Sequence, residues 1–263
     1  MDKRFLLKIW DKIVRLFSKR KMEIDETINK WFEEMAFKIN AEIKTDTSVD
    51  NLFSSIIPLA HNYCNAVLLL ASNERRLPAM ALLRVLAELA LRVIWCLYED
   101  NPLKETVDVR IERWLKESYK QRKRNLKKRL LVADTKEKKN IENEIKYLES
   151  EIEKIPYKFA GDLYNSLADL PPDYKNKIYP LLYGTFNQAI HPDLLVLRKL
   201  GKINNNVRTY SGDFNDISID ALKIYCMTAA FNILSVVRVH YKWDYEDMKS
   251  EYLAIKREFA AKE

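Results

Sequence analysis

Apolar residues recur at three- and four-residue steps along most of this chain, the signature of amphipathic helices. From Leu77 to Tyr98 the sequence is almost wholly Leu, Ala, Met, Val, Ile and Trp, except that Arg84, Glu88 and Arg92 recur every four residues. That spacing stacks the three in one narrow stripe on a helix that is apolar over most of its circumference. A second stretch, IYPLLYGTFNQAIHP, sets Tyr179, Tyr183, Asn187 and His191 at the same step, with Ile178, Leu182, Phe186, Ala189 and Ile190 as its apolar surface. A charge on a mostly buried helix needs a partner, because an unpaired buried charge costs several kcal/mol or is neutralised. If the two stripes face one another, Arg84, Glu88, Arg92, Asn187 and His191 form one polar centre, with Glu88 paired to one or both arginines.

The same periodicity predicts helices at about 3–20, 23–43, 50–73, 77–99, 105–132, 135–155, 158–169, 174–191, 217–242 and 245–261. Ser48, Asp216 or Ser218, and Asp244 suit N-caps, and Pro78 suits a first helical turn. Pro171-Pro172 and His191-Pro192 are stops. Between Pro192 and Asn215 helical periodicity lapses, and the stretch reads as a loop that either closes over a site at His191 or simply connects. Ile141, Ile145, Leu148, Ile152 and Ile155 step by four, three, four and three, a heptad seam. Ile111, Leu115, Tyr119, Leu126 and Leu130 supply a thinner stripe upstream, and Asp134 with Glu137 forms a capping box that restarts a helix between them. The fold expected is therefore all-α: a helical bundle with an antiparallel helical hairpin, about 105–155, projecting from it. Residues 1–45 form an N-terminal basic segment and residues 46–263 the bundle domain.

Composition narrows the chemistry. Four glycines in 263 residues leave no phosphate-cradling loop or nucleotide-binding βαβ turn. Cys64, Cys96 and Cys226 sit singly in apolar runs, which indicates neither a disulfide framework nor a metal site, and no cofactor is expected. They read as small core residues of a reducing, cytoplasmic protein. The N-terminus interleaves apolar and basic residues rather than forming a signal peptide. The charge-free run Asn51 to Ser72 is long enough for a bilayer, but its Pro58, His61, Asn62 and Asn65 fit a buried core helix better.

Charge is unevenly placed. Of the net +7, residues 1–21 contribute +6, from eight cations against Asp2 and Asp11. On a helical wheel Arg4, Lys8, Lys12, Arg15 and Lys19 gather opposite a broad apolar face, so this helix suits an anionic membrane surface, a protein partner, nucleic acid or the protein's own core. A second basic cluster holds Arg122, Lys123, Arg124, Lys127, Lys128 and Arg129, with Glu117 the single anion from Lys116 to Arg129. It reads either as the solvated face of the hairpin or as an RNA contact.

LLRVLAELALRVIW, followed about a hundred residues later by YGTFNQAIHP, resembles a bacterial helical family of unknown function and, more distantly, the HEPN superfamily. The HEPN likeness implies a helical bundle, frequently a homodimer, of the phage-defence or toxin–antitoxin type, and in many members a metal-independent ribonuclease. Its motif is an Arg, usually a polar residue next, then three residues and a His. Asn187 and His191 match its second half, while Phe186 stands where the motif has Arg.

Metal-free RNA cleavage needs a base, an acid and a cation on the phosphate. His191 can serve as the base or acid near neutral pH and Arg84 or Arg92 as the cation, with Glu88 orienting one of them and Asn187 standing at the motif's polar position. The opposite reading makes all five a satisfied interior network. Two functions stand side by side: a HEPN-like, metal-independent endoribonuclease acting on RNA, and a non-enzymatic helical module. The module would recruit a protein partner, nucleic acid or a membrane surface, so that the protein is cytoplasmic or peripheral at the membrane.

Overall fold

A computed structural model of the chain describes residues 26–39, 42–43, 47–98, 102–158, 163–180, 186, 201–204, 207–210 and 217–260. The fold is all-α. Its helices are α1 (26–39), α2 (Ser48–Ser72), α3 (Arg76–Leu97), α4 (Val107–Leu130), α5 (Thr135–Lys154), α6 (Leu163–Ser166), α7 (Ile219–His240) and α8 (Glu246–Ala260). The expected helix at 1–20 lies outside the described residues.

Two compact units divide the chain, one drawn from Met1–Ala90 and Pro180–Glu263, the other from Leu91–Tyr179. In the first, α2 packs along α7 and α7 against α8. Apolar residues at helical spacing bring them together: Phe53, Ile57, Cys64 and Leu68 of α2 and Cys226, Met227, Ile233 and Leu234 of α7 are all fully or almost fully buried. Trp31 of α1 lies 6.4 Å from Tyr252, and Phe32 stacks on His61 at 5.2 Å, so α1 meets both α8 and α2. By length and apolarity α2 and α7 each suffice to cross a bilayer, with 39% and 56% of their most apolar windows buried within the protein.

Local signals explain most helix boundaries. Thr47, rather than Ser48, caps α2: its hydroxyl accepts from the Asp50 N–H at 3.1 Å while the Asp50 carboxylate accepts from the Thr47 N–H. Ser218 caps α7 and Asp134 caps α5, the latter accepting from the Glu137 N–H at 2.8 Å. The box at α5 is only half made, since the Glu137 carboxylate turns to Arg129 instead.

In the second unit α4 and α5 form the antiparallel hairpin that the heptad seam predicts. Leu126, Ile141, Ile145 and Leu148 are its buried seam, with Tyr119, Leu130 and Ala133 packed at the margin. Of the helix expected at 158–169, Leu163–Ser166 is α-helical and runs into a 3-10 turn at Leu167–Asp169, while 159–162 lie outside the described residues. Within the helix expected at 174–191, Tyr174–Ile178 is a π-helical turn in which the Tyr179 N–H reaches back five residues to the Tyr174 carbonyl. Pro180 follows directly, and a wider turn accommodates its ring, which clashes with the carbonyl four residues back in an ordinary helix. Of the remainder only Phe186 is described.

The stretch read as a loop contains an antiparallel ribbon, β1 (Gly201–Asn204) with β2 (Val207–Tyr210), in which Gly201 pairs with Tyr210 and Asn204 with Val207. Two short runs containing β-branched residues, separated by Asn205-Asn206, are the local signal for this hairpin, which has no helical period.

Candidate functional site

The polar stripe on α3 is divided between the two units. Arg84 and Glu88 are half-buried on the part of α3 belonging to the first unit, and Arg92, 5% exposed, lies in the second. The expected Glu88 ion pair is not made: among the described residues no salt bridge joins Glu88 to Arg84 or Arg92. Arg92 instead meets Glu117 of α4, its Nη2 3.1 Å from both carboxylate oxygens, and donates from Nη1 to the Ser166 hydroxyl at 3.0 Å. Gln121 donates to the same carboxylate at 3.2 Å. Glu88 is within reach of Arg92 by spacing but is half-buried, whereas α4 brings the buried Glu117 against the guanidinium, where the low dielectric makes pairing strongest. Asn187 and His191 lie outside the described residues. Phe186, in the position of the motif Arg, is 1% exposed and packs edge-on against Tyr225 at 5.7 Å.

Around the Arg92–Glu117 pair the hairpin is rooted by cations on carbonyl ends. Arg110, 1% exposed, donates to the carbonyls of Trp95, Tyr98 and Glu105. Trp95 and Tyr98 belong to the last turn and end of α3, whose carbonyls have no intrahelical partner and carry the negative end of the helix dipole. α3 has no basic residue in its own last turn, and Arg110 supplies the missing cation from the next helix. Lys116 does the same at the end of α5, donating to the carbonyls of Ile155 and Tyr157, the latter at 2.9 Å. Arg113 pairs with Glu105, bonds the Lys158 carbonyl and lies 5.5 Å above the Trp95 ring, while the Trp95 indole N–H donates to Asp169 at 3.1 Å. Cys96 sits within this network with its thiol pushed up to about 12 by burial, against the opposing pull of Arg110 and Arg92, so it is inert as a nucleophile.

Glu117 and Arg110 are the residues that sequence reasoning missed. The signal was present: seven residues apart, they share the face of α4 that carries Ile111, and Glu117 is the lone anion in a basic run.

Farther along the hairpin the basic ridge divides in two. Arg122 bonds Glu144 at 2.8 Å, Lys123 approaches Glu149 at 3.5 Å, and Arg129 bonds Glu137 at 2.5 Å, so these three cations cross-link α4 and α5. Arg124, Lys127 and Lys128 are exposed and make no salt bridge with the described residues, and the same holds for Lys136, Lys138 and Lys139 at the start of α5. The turn between the helices begins with Leu131 and Val132, 83% and 87% exposed.

His61 and His240 are packing residues: His61 stacks on Phe32, with its Nε2 3.0 Å from the Asn65 amide nitrogen, and His240 packs edge-on against Phe53. Cys64 and Cys226 are fully buried with their sulfurs 3.2 Å apart as free thiols. Among the described residues no group of three His, Cys, Asp or Glu side chains converges to hold a metal.

These features define an all-α protein with a buried polar root and a basic helical arm. The chain belongs to a family of unknown function, DUF5677, whose model matches residues 50–208, from α2 into β2. No curated protein and no solved structure matches the chain. Nothing in these comparisons supports the more distant HEPN resemblance.

Proposed function

We propose that this protein is a non-enzymatic helical binding module that uses the α4–α5 hairpin to dock on an anionic partner. The observation that carries the reading is the division of labour along α4. Arg110, Lys116, Arg122, Lys123 and Arg129 are spent on carbonyls and carboxylates of the protein itself. Arg124, Lys127 and Lys128 are left facing solvent on one side of the arm, available to neutralise external negative charge. Three buried free thiols fit a reducing compartment, and we place the protein in the cytoplasm.

The ribonuclease reading ranks second. It retains Asn187 and His191, but Arg92, one of its two candidate phosphate cations, is committed to Glu117, and Phe186 is a core residue rather than the relic of an exposed arginine.

The test is a charge reversal. Arg124→Glu with Lys127→Glu and Lys128→Glu weakens binding to anionic polymers or surfaces at least tenfold at low salt and flattens the salt dependence. The parallel triple at Arg122, Lys123 and Arg129 loosens the hairpin and affects binding less. Equal binding by wild type and the first triple rules this docking surface out.

A further inference from the structure

The anionic partner can be specified from the end of the arm. We propose that the tip of the α4–α5 hairpin inserts into the surface of an anionic lipid bilayer, with Leu131 and Val132 entering the acyl boundary and the surrounding cations resting on lipid headgroups. This rests on the reading of the hairpin as an anionic docking surface and names its occupant.

Two independent observations converge. The first is charge. Residues 122–139 hold nine cations against Asp134 and Glu137, and once Glu144 and Glu149, the partners of Arg122 and Lys123, are counted, a net +5 remains at this end of the hairpin. Lys127, Lys128, Lys136, Lys138 and Lys139 bracket the turn from both helices and are exposed. The second is the apolar pair. Leu131 and Val132 are the most exposed large apolar residues among those described, and they sit at the point farthest from the root, where no neighbour within the hairpin covers them. Ala133, next in sequence, packs onto the seam, so with the hairpin closed the fold sets the aliphatic pair outward.

A nucleic acid uses the first observation and not the second. Phosphates are satisfied by lysine and arginine alone, and proteins that engage unpaired bases add aromatic rings for stacking. The turn from Leu130 to Thr135 contains no aromatic residue. Aliphatic side chains in a collar of lysines match a bilayer instead: lipid tails accept Leu and Val, anionic headgroups attract the cations, and neither interaction alone gives stable attachment. The long, mobile lysine stems also let the ammonium groups stay at headgroup level while the tip goes deeper.

The decisive readout is at the tip itself, because residues 1–21 carry charge of their own. Cys64, Cys96 and Cys226 are buried, so Val132→Cys in the full chain provides one reactive thiol for an environment-sensitive fluorophore. Vesicles of phosphatidylcholine with about a third phosphatidylglycerol are expected to blue-shift the probe, and pure phosphatidylcholine vesicles to leave it unchanged. Leu131→Ser with Val132→Ser is expected to lower partitioning onto the anionic vesicles at least tenfold, without changing the melting temperature or affinity for single-stranded RNA. A probe that does not shift overturns the insertion, whatever else binds the vesicles. So does a Ser double variant that partitions like wild type. Binding to RNA but not to vesicles also overturns it while leaving the anionic docking surface standing, and binding to neither removes both.

Discussion

Arg92 and Glu117 form an ion pair at 3.1 Å in which each side chain is only 7% exposed, linking the end of α3 to the first half of α4. A pair that dry contributes little relative to an apolar alternative, but removing one partner strands a charge. Glu117→Ala is therefore expected to destabilise the protein by about 3 kcal/mol or more. Glu88→Ala, at a half-buried carboxylate with no salt bridge among the described residues, should cost under about 1 kcal/mol. Chemical denaturation of the two variants side by side checks the assignment, and a larger loss from Glu88→Ala would return the ion pair to the stripe on α3.

Phe186→Arg places a guanidinium in a site that is 1% exposed and packed on Tyr225. The expected outcome is a fall in stability of about 3 kcal/mol or more, with no gain of RNA cleavage. A folded variant that cleaves single-stranded RNA without metal, and loses that activity on His191→Ala, would instead favour the nuclease reading.

Asp247 anchors α8 to Arg238 of α7 at 3.0 Å, with Lys38 of α1 at 3.8 Å. Burial works to raise its pKa, but the Met248 N–H, Arg238 and Lys38 together hold it below the ordinary value of 3.8. A carboxylate depressed by folding stabilises the native state at neutral pH, and that contribution is lost as pH falls below 3.8 through the folded value. Asp247→Asn should lower the melting temperature at pH 7 and bring it closer to wild type in strong acid. A constant difference across the acid range would show that Asp247 acts through packing alone.

α2 and α7 both end with a residue in the left-handed region: Glu74 has φ 61° and Lys242 φ 59°. In each case the next N–H reaches back to the last turn, Arg75 to the Leu70 carbonyl at 2.8 Å and Trp243 to the Arg238 carbonyl at 2.9 Å. A side chain with a Cβ is strained there by about 1 kcal/mol, so Glu74→Gly and Lys242→Gly should each raise stability by about 0.5–1 kcal/mol. Thermal melts of the single and double variants read the effect directly.

Most of the architecture was legible because apolar spacing is a local signal. The hairpin followed from Ile141, Ile145 and Leu148, and the cap of α7 from Ser218. The polar site was only half legible. Arg92 was visible as a buried charge, but its partner was sought four residues away on the same helix, whereas Glu117 comes from α4, twenty-five positions on, by a contact that no periodicity encodes. Helix ends were blurred for a related reason: Glu74 and Lys242 occupy positions where glycine would have announced a stop. Cys64 and Cys226, isolated in sequence, meet only because α2 and α7 pack along one another.

The clamps at the root give the hairpin a gradient of permanence. Its seam alone is four buried aliphatic side chains, little to hold two helices of 24 and 20 residues together in water. Arg110 and Lys116 tie the lower end to carbonyl groups of α3 and α5, and a cation on a carbonyl is not released by mild acid or base. Amide hydrogens near Arg110 and Glu117 should consequently exchange with solvent slowly, and those near Leu131 quickly. The arm behaves as a lever with one end built into the wall: its free end can open and reclose many times while its root stays shut.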